Sequence, residues 1–213
     1  MSVHIASLGK ETGHIMSAFK NYKIESLLLI TSKKFENEAL EIKKKVGYFD
    51  TETDIVYIDP FSQRAYMEIL NQTFSFLKER DSKEGIFFNI TGGTNLMSSA
   101  VLTAAQFLGG SAYYIIKGKG GDEFIEVPIV KISLKDALTQ KQKRILNIIF
   151  REQKRSGAIT NLNNFAQRSG LYKQKLRFYI QHFEKLNLIR INKNGREHTL
   201  ELTETGHLIK QLL

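Results

Sequence analysis

The chain has 213 residues, 42% of them hydrophobic and 25% charged, and a net charge of +9, a composition typical of globular proteins. It contains no cysteine, which excludes disulfide bonds and thiolate metal sites, and its five histidines lack metal-ligand spacing. No run of about eighteen apolar residues and no secretion signal occur, so we expect a cytoplasmic protein without a membrane span or a bound metal.

Apolar, strand-like runs alternate with amphipathic helical stretches over the first two thirds of the sequence. Strands are predicted at residues 3–6, 26–31, 55–58, 86–90, 112–116 and 124–132, with helices at about 14–20, 35–46, 63–78 and 95–108. Repeated β-α units need crossover connections, so the pattern predicts an α/β, Rossmann-like fold with a mainly parallel sheet. We place this domain at residues 1–134 and a smaller second domain at 135–213.

The loops after the strands form the candidate ligand site, because open parallel sheets bind ligands beyond the carboxyl ends of their strands. The stretch from Thr91 to Asn95 is the most distinctive of these loops. Gly92 and Gly93 permit a tight turn, and the N–H groups that open the next helix favour an anion. The same residues also fit a simple glycine turn in which Thr94 or Asn95 caps the helix. No dinucleotide or P-loop signature occurs, so we expect no cofactor and no NTPase activity.

The run Asn89-Ile90-Thr91-Gly92-Gly93-Thr94-Asn95 resembles the turn after the fourth strand of CRISPR-associated Rossmann fold (CARF) domains. The resemblance extends over about residues 1–132 and implies a homodimer that binds a cyclic oligoadenylate across its two-fold axis. Lys10 and Lys117 carry charges that suit the phosphates of such a ring. The full set of ligand contacts implied in this way is Ser7, Leu8, Gly9, Lys10, Thr91, Gly92, Gly93, Thr94, Asn95 and Lys117.

Two histidines of this domain receive structural interpretations. His4 lies within the first predicted strand and is expected to pack in the core. His14 lies at a helix start near the ligand edge, and we do not expect it to contact the ligand.

The basic charge is concentrated in the C-terminal third. Residues 1–134 hold 15 Lys and Arg against 16 Asp and Glu, whereas residues 135–213 hold 16 against 6, which favours a polyanionic partner. Helices are predicted from about residue 139, from 160 or 161, and over 172–186. An Asn-Gly turn between two β-like runs then predicts a hairpin, and a last helix follows it.

This order of helices and basic hairpin resembles the winged helix-turn-helix domains of prokaryotic transcription regulators. The resemblance covers residues 135–213 and implies that the third helix enters the major groove of double-stranded DNA. The implied DNA contacts are Lys173, Gln174 and Arg177 on that helix and Lys193 and Arg196 at the hairpin.

The two resemblances together imply a CRISPR-associated transcription regulator whose DNA affinity responds to cyclic tetra- or hexa-adenylate. One alternative is a ring nuclease that cleaves the messenger without metal, by in-line attack of a ribose 2′-OH on the adjacent phosphate, although no general base is evident. A second alternative is that the C-terminal domain binds another protein. Arg177 and His182 match the R-x-x-x-x-H pattern of HEPN ribonucleases, but those domains are wholly helical and a hairpin is predicted here.

Overall fold

The computed structural model describes residues 1–80, 85–118, 120–130, 138–157, 159–194 and 197–212. The chain divides into two compact units, Met1–Ser133 and Leu134–Leu213. None of the helices in the described ranges combines the length and the apolar character that a bilayer crossing needs.

The first unit is built on a six-stranded sheet in the order β3-β2-β1-β4-β5-β6. Neighbouring strands from β3 to β5 are parallel, and β6 runs antiparallel to β5. The strands are β1 (Val3–Ser7), β2 (Ser26–Thr31), β3 (Glu52–Tyr57), β4 (Ile86–Asn89), β5 (Ser111–Gly118) and β6 (Gly121–Val127). The helices are α1 (Gly13–Ala18), α2 (Glu36–Gly47), α3 (Ala65–Lys78) and α4 (Asn95–Leu108), with a 3-10 turn at Lys33–Phe35. The predicted α/β fold with a mostly parallel sheet is confirmed.

Helices cover the central strands, which explains why β1 and β2 are buried along their whole length. Leu27 and Leu29 form one apolar cluster with residues of α1 and α2, including Ile15 and Ile42. Leu28 alternates to the other face of the sheet. Helices α3 and α4 pack against each other, α3 against β2, and α4 against β1 and β4.

The sequence pattern predicts the ends of the buried strands and helices more accurately than the ends of the edge strand β3. Strand β2 and helix α4 begin and end where predicted. Strand β3 begins at Glu52, earlier than the predicted residue 55, because it lies at the sheet edge and exposes Glu52 and Asp54. An apolar run marks only the half-buried end of this strand. Strand β6 ends at Val127, just before Pro128, which cannot donate a hydrogen bond to a sheet ladder.

The second unit contains three helices, a hairpin and a last helix, in the order predicted. They are α5 (Gln140–Ser156), α6 (Leu162–Ser169), α7 (Lys173–Lys185), β7 (Ile189–Asn194), β8 (Glu197–Leu202) and α8 (Glu204–Leu212). Thr139 and Gln142 form a capping box at α5, and Asn161 caps α6. Gly170 takes the left-handed conformation, φ +65°, that the turn between α6 and α7 requires.

One apolar core joins the elements of this unit. Leu146, Phe165 and Phe183 are almost fully buried and pack with residues of the hairpin. Leu200 of β8 also exchanges backbone hydrogen bonds with Ile159 in a short antiparallel bridge. The hairpin is therefore fastened to the helices through its side chains and its backbone.

His4 provides a test of the packing of the first unit. Its ring is 1% exposed, stacks on Phe87 at 4.8 Å and lies 3.3 Å from the Tyr113 hydroxyl. Burial lowers the pKa of His4 to about 3, so this imidazole is neutral in the folded chain. Because the unfolded chain takes up the proton below pH 6.5, the stability contributed by the neutral ring is lost as pH falls towards 3.

We predict that lowering the pH from 7 to 5 costs the first unit about 2 kcal/mol through His4. Hydrogen exchange of the β1 amides should report this loss, and His4→Phe, which cannot titrate, should remove most of it. An equal loss in the variant would contradict the buried, neutral histidine.

Candidate ligand site at the sheet edge

The sheet order creates a switch point between β1 and β4. The chain leaves β1 towards β2 on one side, whereas β4 leads to β5 on the other. The loops that follow these two adjacent parallel strands therefore diverge and open a crevice at their carboxyl ends, which is where open α/β sheets bind ligands. Residues 8–12 and 90–94 form these loops.

Gly92 packs against the end of β1 with no room for a side chain. A Cβ atom built on it would lie 2.5 Å from the carbonyl oxygen of Ser7 and 2.5 Å from Cε1 of His14. The Gly92 carbonyl accepts hydrogen bonds from the hydroxyl groups of Ser7, at 2.6 Å, and Ser98, at 3.0 Å. The first glycine of the turn is thus locked between the β1 loop and helix α4.

The following residues open towards solvent. Gly93 is exposed and has φ +81°, a conformation that favours glycine. The Thr94 hydroxyl caps α4 by accepting from the Met97 amide at 3.3 Å, as the helix-cap interpretation predicts. Among the residues that the structure describes, none accepts a hydrogen bond from the amides of Gly93 and Asn95. These donors stand at the positive end of the α4 dipole and suit an anion.

His14 and Asn89 organise the floor of the crevice. The His14 Nε2 atom donates to the Ser7 carbonyl at 3.2 Å, and the Asn89 amide group donates to the His14 carbonyl at 3.4 Å. The Asn89 side-chain oxygen accepts from the Thr91 amide at 3.1 Å. Burial lowers the pKa of His14 below its ordinary value, so the ring is neutral near pH 7 and contributes shape and polarity rather than charge.

A cleft of about 410 Å³ lies beside this turn. Tyr114 and Ile116 give it apolar surface, while Glu11, Lys117 and Asp122 give it charges of both signs. Lys117 and Glu11 form an exposed ion pair at 3.3 Å, and the Ser17 hydroxyl donates to the Asp122 carboxylate. No three acidic or histidine side chains converge as metal ligands anywhere in the described ranges.

A second cleft, of about 310 Å³, follows β2 and β3 at the same edge of the sheet. It combines Lys33, whose ammonium lies 4.3 Å from the centre of the Tyr57 ring, with the exposed ring of Phe61. The loops after β2 and β3 therefore reach the carboxyl edge that sequence analysis nominates for the ligand.

The structure brings most of the predicted ligand residues together around the turn. Gly9 approaches Gly93 so closely that a Cβ on Gly9 would lie 3.1 Å from the Gly93 amide nitrogen. Lys10 and Lys117 are exposed. Several of these residues also have contacts within the protein. The hydroxyl groups of Ser7 and Thr94 make the hydrogen bonds described above, the Leu8 side chain is buried in the core, and the Thr91 hydroxyl accepts from the Ile115 amide at 2.9 Å.

Three further residues belong to this site although the sequence did not predict them as ligand residues: His14, Ser98 and Asp122. His14 lines the cleft, and Ser98 donates a hydrogen bond to the Gly92 carbonyl. Asp122 lies near the start of β6 and also lines the cleft. Their position in the chain could have indicated this role for two of them. His14 begins α1 directly after a loop predicted to bind the ligand, and Asp122 follows the glycine-rich sequence after β5.

A family model described as the Card1 CARF domain matches residues 14–141, which is more than half of the chain. The chain belongs to the Card1 CARF domain family. The match includes the Gly92 turn, all of β2 to β6 and every lining residue of the first cleft except Glu11 and Gly13. No curated protein matches the sequence.

Several solved structures are similar to this chain at low identity. Protein VC1899 from Vibrio cholerae has a TM-score of 0.50 and 8% identity over 98% of this chain and 64% of its own. A type III CRISPR defence DNA nuclease activated by cyclic oligoadenylate has a TM-score of 0.50 and 12% identity, over 92% and 36%. Can2 from Sulfobacillus thermosulfidooxidans, in complex with cyclic tetra-adenylate, has a TM-score of 0.46 and 12% identity, over 98% and 61%. The chain spans less than two thirds of the length of each of these proteins.

Three of the five residues predicted to contact DNA lie on α7. Lys173, Gln174 and Arg177 are exposed, whereas Leu176 and Ile180 of the same helix are buried in the core of the second unit. Lys193 lies in β7. Arg196 lies outside the described residues.

We predict that Gly92→Ala destabilises the first unit by about 1–3 kcal/mol, because the new methyl group must displace the Ser7 backbone or the His14 ring. Thermal unfolding of the full chain measures the effect. The matched control is Gly13→Ala, since apart from Gly13's chain neighbours and the backbone of its own helix, none of the described residues lies within 4 Å of the added Cβ. A Gly92→Ala midpoint equal to that of the control would refute the close approach.

Proposed function

We propose that this chain is a cyclic-oligoadenylate-responsive, DNA-binding transcription regulator. The observation that carries the proposal is the Gly92-Gly93 turn, which leads into α4 at the switch point of a CARF-family sheet. The amides of Gly93 and Asn95 have no hydrogen-bond acceptor among the described residues. One structurally similar protein, the CRISPR defence DNA nuclease, is activated by cyclic oligoadenylate.

The amides of Gly93 and Asn95, two exposed residues, supply the phosphate contacts of this proposal. Backbone N–H groups at a helix start bind anions without an ionisable side chain, and the helix dipole adds to the attraction. Ser7 and Ser98 support this role indirectly, because their hydroxyl groups occupy the Gly92 carbonyl and fix the turn. A phosphate held here needs no metal ion.

The cleft beside the turn suits the adenine base. Its acidic groups, Glu11 and Asp122, repel phosphate but accept hydrogen bonds from an exocyclic amine, which adenine presents. Tyr114 and Ile116 supply the apolar surface against which a flat ring packs. The acidic groups of the cleft and the amides of the turn lie side by side. One nucleotide can therefore place its base in the cleft and its phosphate at the turn.

A ring of four or six nucleotides is much larger than one cleft of about 410 Å³. An even-numbered ring can have two-fold symmetry, as can a dimer with the same patch on both subunits. We therefore propose a homodimer in which each copy contributes one turn and one cleft to the same ring.

The second unit is proposed as a winged helix-turn-helix domain for double-stranded DNA. Helix α7 follows the Gly170 turn, exposes Lys173, Gln174 and Arg177, and is followed by the β7–β8 hairpin. The excess of ten positive charges in residues 135–213 suits the phosphate backbone. In this proposal the dimer has two arrangements that differ in the spacing of the two DNA-binding domains. Ligand binding changes DNA affinity by as much as the affinity of the ring differs between these arrangements.

We expect calorimetric titration with cyclic tetra- and hexa-adenylate to show binding of at least one ring, at one ring per two chains. A cyclic uridylate of the same size keeps the phosphates but lacks the exocyclic amine, so it should bind more weakly. Gly92→Ala should reduce binding of the adenylate ring, because the turn shifts. Equal affinity for the adenylate and uridylate rings would contradict the base assignment.

We expect Lys173→Ala and Arg177→Ala to weaken duplex DNA binding and each to reduce the slope of log K against log salt by about one. Fluorescence anisotropy at several salt concentrations measures both quantities. Lys43→Ala, on exposed α2 of the first unit, removes the same charge and should leave the slope unchanged. If the α7 variants bind like the Lys43 variant, the major-groove assignment is wrong.

His14 favours a second candidate function, the ring nuclease. Because the neutral ring donates from Nε2 to the Ser7 carbonyl, Nδ1 is its acceptor and has the chemistry of a general base for a ribose 2′-OH. Incubation with labelled ring in a chelator separates the two functions. A regulator returns the ring intact, whereas a metal-independent nuclease cleaves it and His14→Ala slows the cleavage.

A further inference from the structure

Helix α7 carries an exposed aromatic ring in the middle of its basic and amide surface. Phe178 is 65% exposed, whereas the other apolar residues of the same helix, including Leu176 and Phe183, are buried. Its ring meets Tyr179 edge-on at 5.7 Å, and Tyr179 is itself buried. Phe178 is therefore held in place from one side while most of its surface faces solvent.

The position of Phe178 follows from helical periodicity. Gln174, Phe178, Gln181 and Lys185 are spaced by four, three and four residues, so they form one stripe along α7. All four are exposed, and the stripe lies directly opposite the buried residues of the helix. Of the residues predicted to contact DNA, only Gln174 lies in this stripe. Arg177 lies beside the stripe, and Lys173 lies further round the helix on the same side.

We propose that Phe178 reads thymine by contacting the C5-methyl group in the major groove, an inference that rests on the proposed DNA binding by α7. An A·T pair presents that methyl as an apolar feature of its major-groove edge, and phenylalanine is a side chain that contacts it. The neighbouring Gln174 is suited to adenine, to which glutamine donates and from which it accepts in a bidentate pair. The stripe thus carries matched readers for the two halves of an A·T pair.

Charge complementarity favours DNA as the partner of this surface. Helix α7 carries four exposed cations in addition to Phe178, namely Lys173, Lys175, Arg177 and Lys185. A second copy of α7 would bring the same cations together at the interface, where like charges repel, whereas a phosphate backbone on either side of the groove pairs with them. Burying the ring against a base edge also removes apolar surface from water.

The test uses the full chain and a duplex selected by it from a random pool. The selected duplex is resynthesised with deoxyuridine in place of thymidine, one position at a time, which deletes only the methyl group. We expect at least one position to weaken wild-type binding about fourfold, the effect of one buried methyl group. Phe178→Ala should bind the thymine and uracil forms equally.

Leu186→Ala is the matched control, because it truncates another exposed apolar residue at the end of α7 and away from the stripe. It should keep the preference for thymine. The weakening caused by Phe178→Ala should also be independent of salt, unlike that of Arg177→Ala, because no phosphate contact is lost.

Three results would overturn the inference in distinguishable ways. Equal wild-type binding to the thymine and uracil forms, or a preserved preference in Phe178→Ala, would refute thymine reading while leaving DNA binding intact. Failure to bind any duplex would refute the proposed function itself.

Discussion

The packing of Gly92 against the end of β1 is the contact on which the ligand site depends. The Ser7 carbonyl and the His14 ring occupy the space in which any other residue would place its Cβ, so only glycine fits. Two hydroxyl groups then hold the Gly92 carbonyl, which directs the following amides outward. The close packing of Gly92 within the protein thus leaves the amides that follow it free to bind a ligand, as preorganised anion sites require.

Structural features that depend on residues close together in the sequence could be predicted, whereas features that depend on distant residues could not. The apolar run of β2, the helix from Asn95 to Leu108 and the caps at Thr139 and Asn161 all follow from neighbouring residues. Strand β3 was predicted too short, because an edge strand lacks a continuous apolar signal. The role of His14 depends on contacts with the distant Gly92 loop, and spacing along the chain carries no information about such contacts.

The two units differ in the charged and hydrogen-bonding groups that they offer to a partner. The first combines backbone donors with acidic and basic groups in nearly equal number, which suits a ligand that carries both bases and phosphates. The second concentrates cations on a helix and hairpin, which suits a long polyanion. In the proposed DNA complex, Phe178 adds an apolar reader to that basic surface, so that positioning and sequence selection fall to different residues of α7.

Thermodynamic linkage between the two units tests the account most directly. The affinity of the full chain for its selected duplex should be measured with and without saturating cyclic adenylate, and the affinity for the ring with and without the duplex. The account predicts that both affinities change by the same factor, about 5- to 150-fold, since coupling between two sites is reciprocal. Unchanged DNA affinity in the presence of a ring that binds would contradict it.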